Sequence, residues 1–583
     1  MKAAKWLYLL VSVACLSGCG AGETEVTDGV EFFVPKDLNS VTDDPFDSER
    51  MSVVQIIMPA NDFEALKWEG RSLDMGISEC PSHDFEYTQF SATVNIDGEV
   101  FEHVGIRKKG YLGSLSPSKP SFKLDFDEFV EGRQYKTLSR MTLNNNRQDP
   151  THARQCLAYS LYEKVGLPAP RCALSQVFVN GEEMGVYTHV ESIKKPFLAN
   201  SFGDDEGNLY EAQISDFGNF LGDKFEKKTN KTENDRSDLL AVAQALDIED
   251  DALFLTTVSE LVDIDEFILY WAMDAVIGNW DSATGNANNY YIYRDPNDGL
   301  FHFIPWGLDA AFTGENILKR NSGPLYRSHR LAARLFDMDS TREQYYTSIQ
   351  TILSDHWNES LLIQEIDRIA ALAQGEDSAY AQLKAFIQGS DQDGADSQRE
   401  SLLAAIANNG AGQTDYTLED EAINCDPLGT TDFTASFESR ATGDVGNFRF
   451  THPNGRVITT NMQYVSASKG NPDSLRYRYD DTTLPATHAL SLVGVDVTTV
   501  FAPNPDVYVM QVSVEAPFYK PGSTSLHGFA NSLMLFKFIS EDELELMATG
   551  SAGEIRFTQA GDGTVAAPIV GTINAATLRY FEE

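Results

Sequence analysis

Asp281 closes an apolar run, in Gly278-Asn279-Trp280-Asp281, and opens a segment that carries Asn286, Asn288 and Asn289. Irregular backbone at the end of such a run can present a carboxylate and several carboxamides together. Asp309, in Pro305-Trp306-Gly307-Leu308-Asp309, directly follows the apolar run FHFIPW, so a strand would carry it to the floor of a cleft. Upstream, KKGYLGSLS holds Gly110, Gly113, Ser114 and Ser116 in a loop whose backbone N–H groups can approach phosphate oxygens. The run that follows places Phe122, Leu124 and Phe126 on one face of a strand and Ser121, Lys123 and Asp125 on the other. With the Phe face packed inward, Lys123 faces the cleft; Lys119 has the same parity just before the strand and competes for the same role. Acids to hold a cation and orient a hydroxyl, with lysine and exposed N–H groups for phosphate, are what phosphoryl transfer requires.

The elements that must position these groups are legible in outline. Short period-two runs from Ser52, among them SVVQIIM, FSATVNID, HVGIRKKG and SFKLDF, predict an antiparallel sheet. Asp149-Pro150-Thr151 reads as an N-cap with Pro at the first helical position, leading into a helix that stops at Gly166. Asn180-Gly181 predicts a hairpin, and a mostly helical stretch follows from about Ser237 to Ala275. NNYYIYRDPNDGLFHFIPW then reads as two strands around a turn, before helices resume over roughly 326–407. From about Asp426 the chain alternates in period two with Gly, Pro and Asn between the runs, which predicts a separate all-β, sandwich-like module. The fold class is therefore α+β, with a two-lobed first domain over 51–425 and a β domain over 426–583.

The composition narrows the function classes. Among 583 residues, 87 acidic side chains oppose 45 basic ones, a net charge of -42 that repels nucleic acid and anionic lipid surfaces. The N-terminus places Lys2 and Lys5 before an apolar run too short to span a bilayer, ending in Leu16-Ser17-Gly18-Cys19. This resembles the bacterial lipobox, which implies a signal peptide over 1–18, lipidation of Cys19 and a lipid anchor as the membrane attachment. Gly20 and Ala21 after the Cys favour, by the same resemblance, the outer membrane or cell surface. Residues 19–50 are rich in Asp and Glu and read as a solvated acidic tether. Cys80, Cys156, Cys172 and Cys425 remain for disulfides, with three connectivities open. No CxxC, HExxH or GxSxG occurs.

Several segments together resemble the CotH kinase-like family, atypical relatives of protein kinases. They are GIRKKGYLGSLSPSKPSFKLDF, LNNNRQDPTHARQCLAYSLYEKVGLPAPRCALSQVFVNGEEMGVYTHVESIKKPFL, VIGNWDSATGNANNYYIYRD and FIPWGLDAAF. The resemblance implies a kinase-like two-lobed fold that uses ATP with Mg or Mn to phosphorylate Ser or Thr of a surface-associated protein. It implies Asp281 as the catalytic-loop acid, with Lys123 catalytic and phosphate-binding. Gly110, Gly113, Ser114, Lys119 and Glu191 would line the nucleotide site, with Glu191 a candidate partner for Lys123. Asp309 would hold metal with Asn288 or Asn289, while Asn286 stands at the spacing of ordinary protein kinases. The family's usual motif has a second Asp where this chain has Gly307, so the alternative is a non-catalytic scaffold. His152, His189 and His302 show no metal-type spacing.

Overall fold

The computed structural model describes residues 24–27, 30–33, 42–70, 86–110, 114–212, 214–218, 225–233, 235–313, 323–390, 394–411, 429–469, 488–515, 517–526, 531–540, 543–562 and 566–580. Cys19 and the signal segment, Cys80, Gly113 and Cys425 lie outside these residues. Among the described residues no helix is long and apolar enough to cross a membrane.

The stretch expected to be a solvated tether contains ordered structure. A hairpin joins β1 (Thr24–Thr27) to β2 (Val30–Phe33). Residues 42–50 then form a strap against the domain. Phe46 stacks on His189 at 4.4 Å and lies under the Arg171 guanidinium at 4.5 Å, while Arg368 donates to the Ser48 carbonyl at 2.6 Å. Phe46 is buried while Asp43, Asp44 and Glu49 stay exposed, so the strap docks through its apolar side chain and leaves these acids in water.

The first sheet closes on itself. β3 (Met51–Ile57), β4 (Phe90–Ile96), β5 (Glu99–Lys109), β6 (Ser121–Asp125), β7 (Arg140–Asn144), β8 (Cys172–Val179) and β9 (Glu182–Val190) form a barrel in the order β3-β4-β5-β6-β7-β9-β8. Its pairings are antiparallel apart from β3 with β8, which run parallel and close the ring. Val54, Ile56, Val94, Ile106, Phe122, Leu124 and Leu143 fill the core of this unit, with α1 (Ala60–Trp68) packed against it through Phe63 and Leu66. The predicted β8–β9 hairpin is present, with Asn180 and Gly181 both left-handed at φ 51° and 82°. The α2 helix (Arg154–Lys164) starts later than the Asp149 cap predicts. Asp149 instead folds forward, accepting from the Thr151 and Arg154 backbone N–H groups at 3.1 and 2.8 Å. A Cys156–Cys172 disulfide staples α2 to β8, which selects one pairing from the three left open.

The second sheet has the order β11-β10-β12-β13, from β10 (Asn208–Ala212), β11 (Phe225–Lys227), β12 (Tyr290–Arg294) and β13 (Phe301–Pro305). It follows α3 (Lys195–Phe202) and packs among α4 (Ser237–Leu246), α5 (Asp251–Ser259), α6 (Ile264–Val276) and the short α7 (Ala283–Asn286). After β13 come α8 (Arg330–Asp337), α9 (Asp339–Asp355), α10 (Glu359–Ala373), α11 (Asp377–Gln388) and α12 (Gln398–Ala407). The α6 helix runs through the middle of this body, with Trp271 stacked on Tyr345 of α9 at 3.6 Å.

The last domain corrects the sandwich-like expectation. Strands β14 (Gly429–Glu438), β15 (Val445–Thr451), β16 (Val457–Lys469), β17 (His488–Asp496), β18 (Val507–Val514), β19 (Gly522–Ser525), β20 (Asn531–Ser540), β21 (Glu543–Gln559) and β22 (Val570–Tyr580) form one sheet. β21 pairs with β20, β19 and β22, and β22 with β14, so the ladder closes into a ring around a single apolar core. Alternation of apolar and polar residues is the same in a sandwich and in a barrel; the long, bulged β21 is what lets one strand serve several partners.

One ion pair set ties β13 to α6. His302 Nδ1 lies 3.0 Å from Glu266 and Nε2 lies 3.1 Å from Asp298. Burial alone would lower its pKa, but the two carboxylates override burial and raise it from 6.5 to about 9. The stabilisation is fully present below the unfolded pKa and disappears as pH rises through about 9. Replacing His302 with Gln should therefore lower the melting temperature at pH 6, with the gap to the wild type shrinking towards pH 10. Thermal melts across that range check this, and a gap independent of pH would show that charge does not hold the contact.

Candidate active site

The seam between the first barrel and the second sheet gathers most of the sequence-predicted residues. From the barrel, the inward packing of Phe122, Leu124 and Phe126 turns Lys123 outward as expected, in a cross-strand row with Arg107 and Thr142. Burial, then the charges of Arg107, Lys194 and Arg140, lower the Lys123 ammonium to about 7. Among the described residues it donates no hydrogen bond. The competing Lys119 is committed elsewhere, donating to the Val186 carbonyl at 2.9 Å and resting 5.1 Å over the Tyr187 ring. Parity alone could not separate the two lysines; the rim of β9 does.

The Gly-containing loop is held at both ends. Gly110 has φ +114°, and its carbonyl accepts from the Tyr87 hydroxyl at 2.7 Å. A Cβ there would fall 2.5 Å from Ser114 Oγ, so only glycine fits without displacing that side chain. Asn145 clamps the other end by donating to the Ser114 and Lys119 carbonyls at 2.8 and 2.7 Å.

From the other side, the turn through α7 wraps three asparagines around Asp281. Asn286 and Asn288 donate to Oδ1 at 2.9 and 3.2 Å, and Asn289 to Oδ2 at 2.8 Å. Asn288 and Asn289, expected beside Asp309 as metal ligands, are thus oriented on Asp281. Ala287 and Asn289 reach this arrangement through left-handed φ of 51° and 52°. The turn is anchored from below by a residue that sequence reasoning missed, Asp274 of α6. Fully buried, it accepts from Tyr162 at 2.5 Å and from the Thr284 hydroxyl at 2.8 Å. Burial raises its pKa to about 6 against the pull of those hydrogen bonds. Its only sequence signal is an acid within the apolar run that follows the acidic first turn of the helix.

Asp309 sits in the single 3₁₀ turn after β13, half-buried. Burial, then the neighbouring charge of Asp281, raises its carboxyl to about 7. Gly307 starts that turn at φ +61°, and a Cβ on it would lie 2.9 Å from the Asn289 carboxamide. The family's second acid is therefore replaced by a glycine whose missing side chain makes room for Asn289.

Two corrections concern glutamates. Glu191 does not pair with Lys123, because Arg171 grips it through its side chain at 2.7 and 3.1 Å and its backbone N–H at 3.1 Å. The acid facing Lys123 is Glu211 of β10, which sequence reasoning did not single out. Burial alone would raise Glu211, but Lys228, the Tyr291 hydroxyl and Lys123 override it and hold it at about 2. Lys109, the last residue of β5, also enters the seam, lying 5.7 Å over the Trp306 ring. The groups around His302 reach ligand distance of one another, but with a carboxylate on each ring nitrogen the imidazolium has no lone pair for a metal.

Residues 106–398 match the family described as CotH kinase protein, half of the chain. The chain belongs to this family. As a CotH-family protein it is 26% identical over 263 residues to the inner spore coat protein H of Bacillus subtilis, covering 41% of this chain and 70% of that protein. It is 23% identical over 227 residues to spore coat protein homolog 1 of Rhizopus delemar, covering 37% and 36%. Against invasin CotH7 of the same fungus it is 21% identical over 252 residues, covering 40% and 42%. The chain thus spans less than half of either fungal relative. The C-terminal β-barrel follows the last residue matched to the family.

Reinstating an acid by Gly307→Asp should not improve the site. The left-handed backbone alone costs about 1–2 kcal/mol, and the new Cβ would push Asn289 off Asp281. Urea melts of this variant should show reduced stability, and Mn titrations no gain in affinity; a tighter, equally stable variant would contradict the packing argument.

Proposed function

We propose that this CotH-family protein is a metal-dependent kinase that transfers the γ-phosphate of ATP to Ser or Thr of a surface-associated protein. The observation that carries the proposal is the pairing of Asp281 and Asp309 at one end of a seam whose barrel wall carries Lys123 among Arg107, Arg140 and Lys194. In a chain of net charge -42, this local concentration of cations fits a polyphosphate. In this reading the barrel and the sheet-plus-helix body are the two lobes of a kinase-like fold.

The donor set fits a hard divalent cation, since carboxylate and carboxamide oxygens suit Mg or Mn. Asp309 would hold that ion, with the Asn288 or Asn289 carboxamide oxygen available after a side-chain rotation. When bound, the metal would neutralise phosphate charge and align the triphosphate. Lys123 binds phosphate oxygens, and Gly110 and Ser114 shape the loop that covers them. Asp281, held in place by three amides, orients the acceptor hydroxyl and receives its proton as the bond from acceptor oxygen to phosphorus forms and the bond from phosphorus to the ADP oxygen breaks. The spore coat and invasin names of the relatives support a surface location, and Leu16-Ser17-Gly18-Cys19 supports attachment through a lipidated Cys19. Gly307 favours a second reading, a non-catalytic scaffold, because the site has one carboxylate fewer than the family's usual motif.

Calorimetry and radiolabel transfer separate the two. Wild-type protein should bind ATP only with Mg or Mn and should phosphorylate itself or a surface protein. Asp309→Ala should abolish both binding and transfer, whereas Asp281→Asn should keep binding and lower transfer by about 100-fold or more. Absence of metal-dependent ATP binding by the wild type would leave the scaffold reading standing.

A further inference from the structure

Lys109 is held in the seam by an array that neither its position in the sequence nor the reading above accounts for. Its Nζ donates to Asn144 Oδ1, and Asn144 Nδ2 donates in turn to Gln155 Oε1 at 2.8 Å. Gln155 is 1% exposed, and its Nε2 is buried without a partner among the described residues. A lysine on a strand end ordinarily extends into water, where its side-chain entropy is retained. Here two strands and a helix spend a half-buried Asn144 and a buried Gln155 on fixing it, against the face of Trp306.

The two seam lysines also see different surroundings. Lys123 is flanked by Arg107, Lys194 and Arg140, with Glu211 opposing them, and these four lead the charges acting on it. For Lys109 the leading charge is Asp309, followed by Glu211. Lys109 therefore stands at the carboxylate end of the seam and Lys123 at the cationic end. Lys109 is also joined directly to Gly110, so the loop expected over phosphate begins at its own carbonyl.

From this geometry we infer that Lys109 is a further catalytic residue, the donor to the phosphoryl group in transit, with Asn144 and Gln155 as its positioning residues and Lys123 confined to holding the inner phosphates. The inference rests on the kinase reading. Lys109 gives no proton away; its ammonium meets the negative charge that grows on the transferring and bridging oxygens as the phosphorus–oxygen bond to ADP breaks and the bond to the acceptor oxygen forms. A group aimed at charge that develops only during transfer affects rate more than affinity.

The test uses the full-length protein with Mg·ATP, reading affinity by calorimetry and transfer by single-turnover release of ADP as the phosphoryl group passes to a protein or water acceptor. Lys109→Met should keep ATP affinity within about threefold while transfer falls by about 100-fold or more. Lys123→Met should show the reverse emphasis, with affinity weakened by about tenfold or more. Asn144→Leu should lower the rate at unchanged affinity, and Asn144→Asp, which keeps an acceptor oxygen for Nζ, should recover it. Should Lys109→Met fail to fold by thermal melt, Lys109→Arg serves instead, with the rate reduced at unchanged affinity. Wild-type transfer rates in these Lys109 variants, or a loss of affinity equal to the loss of rate, overturn the assignment while leaving the kinase reading intact. Failure of the wild type itself to bind Mg·ATP overturns both.

Discussion

Glu211 is the carboxylate against which the seam is balanced. The barrel brings Arg107, Lys109 and Lys123 to one wall, and like charges so placed repel one another in a region partly removed from water. Glu211 answers them from the opposing sheet, kept ionised by Lys228 and Tyr291 even though burial favours its neutral form. Because β10 pairs with β12, and β12 leads out of the Asp281 turn, the same strand that neutralises the barrel also fixes the distance to the acidic end. Cations on one wall, a pinned acid between, and two carboxylates beyond it form one electrostatic gradient along the seam.

What could be read from the sequence was whatever depends on periodicity or on a turn's own residues. The outward face of Lys123 followed from the three phenyl rings on the alternate positions, and the Asn180-Gly181 hairpin from its need for positive φ. The hairpin that carries Asp309 was equally visible, because an apolar run broken by Asp-Pro-Asn-Asp-Gly has few other solutions. What stayed hidden depends on which strand meets which. Glu211 lies in a short run with no motif, and only the pairing of β10 with β12 turns it towards the barrel. Glu191 looked available until the pairing of β8 with β9 set Arg171 opposite it. The same limit explains the C-terminal module, where alternation specified strands and a core but not whether the ladder ends or closes.

Asp274 shows how a buried polar group can act at a distance from the chemistry. It touches none of the proposed reactants, yet it accepts from Thr284 and Tyr162 and so joins α6, α2 and the Asp281 turn in one contact. A buried carboxylate without such partners would be costly; with them it specifies a single arrangement of the turn. The asparagines around Asp281 inherit their orientation from this buried support, which places the origin of the site's geometry in the last turn of a largely buried helix.

The strap over residues 42–50 gives the molecule a mechanical property. A pull arriving from the N-terminal side meets Lys136 at the Thr42 carbonyl, the Arg171 guanidinium and His189 ring around Phe46, and Arg368 at Ser48 before it reaches β3. These grips lie on two barrel hairpins and on α10, so the load is divided between both parts of the domain instead of being delivered to one strand end. When it does reach β3, the parallel pairing with β8 from Met51 to Ile56 presents its hydrogen bonds to be sheared together, not unzipped one at a time. A tug on the N-terminal segment is therefore borne by the strap and the barrel's closing strands.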